Sequence, residues 1–239
     1  MPSKPDKRRG IPTPFTPGAS MVSAGLAPQL RSFLTNARAV TDLRRYFGIE
    51  LPPDTMPFTG SHFEHLAAGG DRPEIANIIT AEDLIAVETL SVSIPIQRKL
   101  DFLEGSLGDQ LSNLLTKIPT DVDLASVETT VIADDSPADQ AWDLLETQHG
   151  LGWVTAGKIL ARKRPRLLPV YDRVVRCALG RPPSFWLSLH AALREDDSAL
   201  HHSLLDLRQT AGLPETVSAL RVCDVAVWMG HRALGHACR

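Results

Sequence analysis

A chain of 239 residues, 43% hydrophobic and 22% charged, has the composition of a folded globular protein and can bury one large core or two small ones. Its longest apolar runs, such as residues 225–229, are far shorter than the roughly 20 residues that cross a bilayer, so we expect no transmembrane helix and no membrane partner. The formal net charge of -3 excludes a polycation. Affinity for nucleic acid must therefore come from a local basic patch.

Residues 1–28 contain six prolines, four basic residues and few large apolar side chains, which predicts a disordered basic tail. No apolar stretch follows the basic residues, so we expect no secretory signal and a cytoplasmic location. The three cysteines, Cys177, Cys223 and Cys238, are far apart and lack the paired spacing of a zinc or iron–sulfur site. We expect them to be reduced, and we expect neither a metal nor a cofactor.

The N-terminal half has the periodicity of helices. Apolar residues recur every three or four positions over residues 31–47, which predicts an amphipathic helix. Thr80 followed three positions later by Asp83 predicts the capped start of another helix. Leucines share one face of a third predicted helix at 97–117. Residues 29–118 are therefore predicted to form an N-terminal helical lobe.

The second half is also predicted to be helical. Residues 119–136 are acidic and lack helical periodicity, which predicts a linker, although the sequence also permits a short β-segment at 127–132. Ser136 and Pro137 are typical of an N-cap and a first helical residue. Residues 137–239 then form a C-terminal lobe, with helices predicted at 153–163, 171–179, 183–195, 198–211 and 214–230. The predicted fold class is all-α, with two lobes.

A glycine-rich turn separates two of these helices. Gly150 and Gly152 lie one residue apart, just before the helix that begins at Trp153. Glycines permit a tight hairpin whose backbone can approach another molecule closely. The first N–H groups of the second helix would then point outward, at the positive end of the helix dipole. This arrangement predicts binding of a phosphate oxygen.

The sequence here resembles the helix-hairpin-helix DNA glycosylases. Their pattern of Gly, an apolar residue, Gly, two variable positions, Thr and Ala is met by residues 150–156, and the resemblance covers about residues 137–180. It implies a two-lobed helical fold with the hairpin at the mouth of the cleft between the lobes. It also implies a catalytic aspartate after a short apolar stretch, and Asp172 follows residues 167–171 at about that spacing.

Two positions depart from the family pattern. Enzymes of this family that also cleave the sugar carry a lysine two positions after the second hairpin glycine, and this chain has Val154 there, which excludes lyase chemistry through that position. Lys158 lies one helical turn further on and is expected to face the same side. Arg173 and Val174 stand where the family has a small polar residue and then histidine or arginine, so the register of Asp172 is open by about one residue.

The chain also resembles an uncharacterised bacterial family of unknown function. The likeness rests on residues 58–60 (Phe-Thr-Gly), residues 152–158 and residues 225–229, and it covers most of residues 30–232. It implies no established activity.

Basic residues follow the hairpin. Residues 157–182 hold eight basic residues and one acidic residue, a local charge of +7, which predicts a phosphate-binding patch unless the cluster is only a solvated helix end. Trp153 is interpreted either as a stacking platform for a base or as a core residue. The predicted DNA-backbone contacts are Gly150, Gly152, Trp153, Thr155, Lys158, Arg162, Lys163, Arg164, Arg166 and Arg173.

Carboxylates and histidines outside the hairpin are interpreted more simply. Asp172 is predicted to be catalytic, or instead an N-cap or an ion-pair partner of Arg176. Asp224 lies in an apolar segment, so it should pair with a basic residue, and Arg221 is the expected partner. His62 and His65 lack a third ligand at metal spacing, and His231 is predicted to be a surface or terminal residue.

Three functions follow from this sequence. The first is a monofunctional DNA glycosylase in which Asp172 hydrolyses the N-glycosidic bond of a flipped-out nucleotide. The second is a DNA-binding protein with the same scaffold but no catalysis. The third is a protein-interaction module that uses the basic patch at 157–182 to bind an acidic partner.

Overall fold

The computed structural model describes residues 25–49, 51–52, 55–235 and 238. Within these ranges the chain forms α-helices, three short 3₁₀ segments and no β-strand, which confirms the all-α fold class. None of the described helices combines the length and apolarity needed to span a bilayer. The helices are α1 (Leu26–Leu34), α2 (Ala39–Phe47), α3 (Ala81–Glu88), α4 (Ile96–Glu104), α5 (Ser106–Leu115), α6 (Pro137–Glu146), α7 (Trp153–Lys163), α8 (Arg173–Leu179), α9 (Phe185–Thr210) and α10 (Ala219–Arg232).

Several helix boundaries depend on local chemistry. The Thr80 hydroxyl and the Asp83 carboxylate form the expected reciprocal cap of α3, and Ser136 caps α6 with Pro137 in its first turn. The helix predicted at 97–117 is two helices, because the backbone is extended at Gly105. Non-helical backbone interrupts α9 at residues 195–198, where the sequence predicts a break.

The start of α1 and the segment before α6 also differ from expectation. Helix α1 begins at Leu26, inside the predicted tail, whose residues 1–24 lie outside the described ranges. The permitted β-segment at 127–132 is not formed, and a 3₁₀ turn lies at Thr129–Val131. Residues 119–136 are more than a linker, because Leu124 and Ile132 are buried and the Leu124 N–H donates to the Arg166 carbonyl at 2.9 Å.

The helices pack in two groups that cross the predicted lobe boundary. Helices α3 to α7 contact one another in sequence order, whereas α1 and α2 pack with α8, α9 and α10. Leu30 in α1 and Leu43 in α2 are wholly buried in this second group. The ring of Phe33 packs so closely on Gly230 of α10 that a Cβ added to this glycine would lie 2.8 Å from the ring. The N-terminal lobe predicted at 29–118 is therefore divided between the two groups.

The end of α7 corrects the predicted phosphate-binding patch. Arg162, Lys163 and Arg164 are buried, so they are not a surface for phosphate. The Arg162 Nε and the Lys163 Nζ pair with the two oxygens of buried Asp83 at 2.9 and 2.8 Å. The physical reason is local: a helix end buried against loops needs donors for their unpaired carbonyls, and cations there supply charge-assisted hydrogen bonds.

Those carbonyls come from distant parts of the chain. Arg162 donates to the carbonyls of Phe63, Glu64 and Leu66 in the segment before α3. Arg164 donates to the carbonyls of Ala76, Leu115, Ile118 and Lys163 and to the Asn77 side chain. The three consecutive cations thus fasten the 63–77 segment and the end of α5 to α7.

Asp83→Asn tests this arrangement. The amide keeps the shape of the carboxylate and can still cap α3, but it leaves two buried cations without their anion. We expect the free energy of unfolding to fall by about 3–5 kcal/mol, as measured by urea denaturation. Asp143→Asn, at an exposed position of α6, should change it by less than about 0.5 kcal/mol. Equal stability of the two variants would contradict the role given to Asp83.

Candidate functional site

The α6–α7 hairpin has the backbone geometry that its glycines predict. Gly150 has a φ of +87°, and a Cβ there would lie 2.7 Å from Pro95, so this position requires glycine. Gly152 is the exposed N-cap of α7 with an ordinary φ of −80°, and a Cβ there would have no heavy atom within 4 Å. Because glycine has no capping side chain, the first N–H groups of α7 remain available to an external acceptor.

Asp172 lies at the start of α8, after the buried residues 167–170. Its Oδ1 accepts hydrogen bonds from the backbone N–H groups of Val174 and Val175, at 2.9 and 3.0 Å. Asp172 is therefore an N-cap, and its Oδ2 makes no hydrogen bond within the described part of the chain. The ion pair permitted with Arg176 is not formed, because the Arg176 guanidinium lies 4.9 Å from the centroid of the Trp153 ring.

A cavity of about 600 Å³ lies where the two groups of helices meet, and both features border it. One wall holds Gly152, Thr155 and Lys158 from α7, together with Asp172. The opposite wall comes from α2, α10 and residues 58–60. The hairpin, the aspartate and Lys158 thus face one space.

Aromatic rings form the opposite wall. Tyr46 and Phe58 are stacked, with ring centroids 5.2 Å apart and planes at 9°. The indole of Trp228 meets Phe58 edge-on at 5.6 Å and Tyr46 at 6.0 Å. Arg232, which is exposed, lies with its guanidinium 4.9 Å from the centroid of the Trp228 ring. This wall offers flat π surfaces to a planar ligand.

A buried charge cluster supports the aromatic wall from behind. Arg221 is paired with Asp224, as the sequence predicts, and its Nε also lies 2.7 Å from Oε1 of Glu64, although without hydrogen-bond geometry. It donates to the Tyr46 hydroxyl and to the Gly60 carbonyl, each at 2.8 Å. Arg221 therefore ties α10 to α2 and to the 58–60 segment.

Gly60 is needed for that contact. A Cβ at this position would lie 2.1 Å from the Tyr46 hydroxyl, so any side chain would displace the tyrosine. The Phe-Thr-Gly sequence at 58–60 thus places a ring in the cavity wall and lets the backbone meet Arg221.

Two ionisable groups in the cavity are perturbed by burial. Desolvation raises the pKa of Asp224 to about 7, although the charge of Arg221 partly offsets this effect. Desolvation lowers the pKa of Lys158, whose Nζ donates to the Leu90 carbonyl at 2.7 Å. Asp224 lines the cavity beside Lys158, and its Oδ1 makes no hydrogen bond to the residues that the structure describes.

The remaining predicted contact residues have different surroundings. Arg173 is exposed and borders the cavity. Arg166 is exposed but is paired with Asp123 through two nitrogens. Trp153 is half-buried between Tyr171 and the Arg176 guanidinium, which occupies the face that a stacked base would need. Of the predicted cations, Arg173 is therefore the best placed to contact a phosphate near the hairpin.

Sequence reasoning missed the aromatic wall and the role of Glu64. Tyr46 is one of several apolar-face residues in α2, so no pattern distinguishes it from the core. Phe58 and Trp228 belong to the short segments by which the chain resembles the uncharacterised family, and those segments were the available signal.

The raised pKa of Asp224 predicts a pH dependence of stability. The pKa of this carboxyl group is about 7 in the folded state and 3.8 in the unfolded state. The free energy of unfolding therefore falls as pH rises from 3.8 to about 7, because the folded state must then lose a proton that the unfolded state has already lost. We expect Asp224→Asn to reduce the decline in unfolding free energy between pH 5 and 8, by up to about 1.4 kcal/mol per pH unit. Burial also raises the pKa of Glu64, so part of the decline remains.

Urea denaturation at several pH values measures this slope. Asp206→Asn, an exposed change in α9, should keep the wild-type profile, and comparison with wild type cancels the contribution of the histidines. A wild-type slope in Asp224→Asn would show that this carboxyl group does not titrate in the range.

Comparison with known proteins gives a family but no activity. No curated protein and no solved structure matches the chain. The sequence model of a family of unknown function, DUF6308, matches residues 39–231. This range runs from the first residue of α2 almost to the end of α10 and includes every residue that lines the cavity except Arg232. The chain therefore belongs to the DUF6308 family.

Proposed function

We propose that this protein binds DNA through the α6–α7 hairpin, receives a flipped-out nucleotide in the neighbouring cavity, and hydrolyses the N-glycosidic bond of that nucleotide with Asp172. The supporting observation is that three parts with separate tasks border one space: the uncapped start of α7, a carboxylate with a free oxygen, and a wall of aromatic rings.

The hairpin supplies the grip on the backbone. The N–H groups at the start of α7 and the positive end of its dipole favour a phosphate oxygen, and Gly152 leaves room for it. Arg173 adds an exposed cation beside the same opening. Because the other predicted cations at the end of α7 are buried, few phosphates should be neutralised, and the dependence of affinity on salt should be shallow.

The cavity suits a nucleobase. Its volume of about 600 Å³ lies within the range of small-ligand pockets, roughly 300–1,000 Å³. Stacking on aromatic side chains contributes roughly 1–3 kcal/mol per base and compensates for the loss of stacking in the duplex. Phe58 would provide such stacking, and Asp224 and Lys158 would provide polar contacts to the base edge.

The chemistry requires one well-placed carboxylate. The Asp172 Oδ1 is held by two backbone N–H groups, which leaves Oδ2 to stabilise positive charge at C1′ and to orient a water molecule. The C1′–N bond breaks with its electron pair leaving on the base, the water oxygen bonds to C1′, and the water proton passes through Asp172 to the base. Val154 occupies the lysine position of the lyase enzymes, so strand cleavage through it is not part of the proposal.

The second candidate is a DNA-binding protein without catalysis. The observation that favours it is the capping role of Asp172, which by itself explains an aspartate at the start of α8. The third candidate, an interaction module that uses the basic patch, is weakened because four of its eight basic residues, Lys158 and Arg162 to Arg164, are buried.

Gly152→Glu tests the grip on DNA. The new side chain has space and an unstrained φ, and a carboxylate at a helix N-terminus stabilises the helix, so the fold should be retained. The glutamate carboxylate repels phosphate, and the side chain occupies the space through which a phosphate would reach the N–H groups. We expect affinity for a duplex with an abasic-site analogue to fall at least about 10-fold, measured by fluorescence anisotropy across a salt series.

Gly25→Glu is the matched control. Gly25 is likewise an exposed N-cap glycine with an ordinary φ of −54°, at the start of α1, and it does not line the cavity. This variant should bind like the wild type. Wild-type binding by Gly152→Glu, or no binding by the folded wild type at low salt, would overturn the proposed DNA grip.

Asp172→Asn separates the two DNA-binding candidates. Asparagine also caps helices, so the variant should fold and bind duplex as the wild type does. We expect release of free base from damaged duplex substrates, measured by mass spectrometry, to fall about 10²- to 10⁴-fold. Unchanged base release would exclude Asp172 as the catalytic carboxylate. Wild-type protein that binds abasic duplex and releases none of the screened bases would favour the non-catalytic candidate.

A further inference from the structure

Three side chains of types that ligate metals converge at the end of α10. Cys177 comes from α8, His231 from the last turn of α10, and Cys238 from the residues that follow. One ligand atom from each lies within 4.8 Å of the others, and the His231 Nε2 is 3.3 Å from the Cys177 sulfur. The cysteines are 61 positions apart, which is why their spacing in the sequence predicts no site.

The spacing of these atoms fits tetrahedral zinc. Zinc binds cysteine sulfur at about 2.3 Å and histidine nitrogen at about 2.0–2.1 Å, which places the ligand atoms roughly 3.5–3.8 Å apart. The His231 Nε2 to Cys177 sulfur distance of 3.3 Å is close to this range, and all three ligand atoms lie within 4.8 Å of one another.

The donor set and its surroundings also favour zinc. Two sulfurs and one imidazole are the ligands that zinc prefers to the oxygen-seeking magnesium and calcium. The Cys238 and Cys177 sulfurs lie within 4.8 Å of each other, although the two residues are far apart in the sequence. His231 is buried in the last turn of α10, where the sequence predicts a surface or terminal residue, whereas Cys177 is exposed and gives an ion a route from solvent.

We propose that Cys177, His231 and Cys238 bind one zinc ion that fastens residue 238 to α8 and α10, with a water molecule as the fourth ligand. This site does not depend on the proposed DNA-binding function. It bears on the cavity mechanically, because α8 begins at the Asp172 cap and ends beside the bound cysteine.

Metal content of the full-length chain tests the proposal. Protein purified under reducing conditions without chelator should carry about one zinc per chain by elemental analysis. Cobalt added to zinc-free protein should give the near-ultraviolet absorption of thiolate–cobalt bonds. We expect Cys177→Ser and Cys238→Ser each to raise the dissociation constant for zinc at least about 100-fold, and zinc should raise the melting temperature of the wild type but not of these two variants.

Cys223→Ser is the control, because Cys223 is buried elsewhere in α10 and burial raises its pKa to about 12. This variant should keep its zinc. Because His231 is buried and its substitution could disturb the fold, the test relies on the two cysteines. Wild type that binds neither zinc nor cobalt would overturn the proposal, as would wild-type affinity in the Cys177→Ser, Cys238→Ser double variant. A disulfide between the two cysteines that forms in the presence of zinc would assign them to redox chemistry instead.

Discussion

The structure depends on three consecutive cations buried at the end of α7. Taking a charge out of water costs several kcal/mol unless hydrogen bonds replace its hydration. Asp83 neutralises part of the charge of Arg162 and Lys163, and backbone carbonyls satisfy Arg162 and Arg164. Each hydrogen bond from a charged donor contributes roughly 1.5–3 kcal/mol. The cluster is stable because the many bonds to carbonyls together offset the cost of burying the charges. Because α7 also begins at the hairpin, these contacts hold the candidate site in place.

Arg221 plays the corresponding role on the other side of the cavity. A guanidinium has five donors in a planar fork, and here they reach a carboxylate, a phenol and a backbone carbonyl at once. An aromatic wall built on such a cluster keeps its shape without a ligand. A pre-formed wall favours binding of a planar ligand, because no conformational entropy is lost in ordering the rings when the ligand binds. The cavity thus joins a rigid apolar face to a polar face that titrates near neutral pH.

The sequence predicts the local features of this protein better than the long-range ones. The caps at Thr80 and Ser136, the hairpin and the pairing of Asp224 with Arg221 were predictable because each depends on neighbouring residues. The burial of Arg164 was not, because most of its partners lie some 50 to 90 positions away and are backbone carbonyls, which every residue has. The cavity walls and the cluster of Cys177 with Cys238 likewise arise from packing between distant helices, which no spacing in one sequence reveals.

The order of the helices also constrains how the chain folds during synthesis. Helices α3 to α7 are contiguous and contact their neighbours, so they can assemble while the rest is being translated. Helices α1 and α2 leave the ribosome first but pack on α9 and α10, which emerge on the order of ten to forty seconds later. Until then the apolar faces around Leu30 and Leu43 have no native partner, so this stretch of the nascent chain exposes apolar surface during synthesis. The cavity closes last, once α10 brings Arg221 to Gly60.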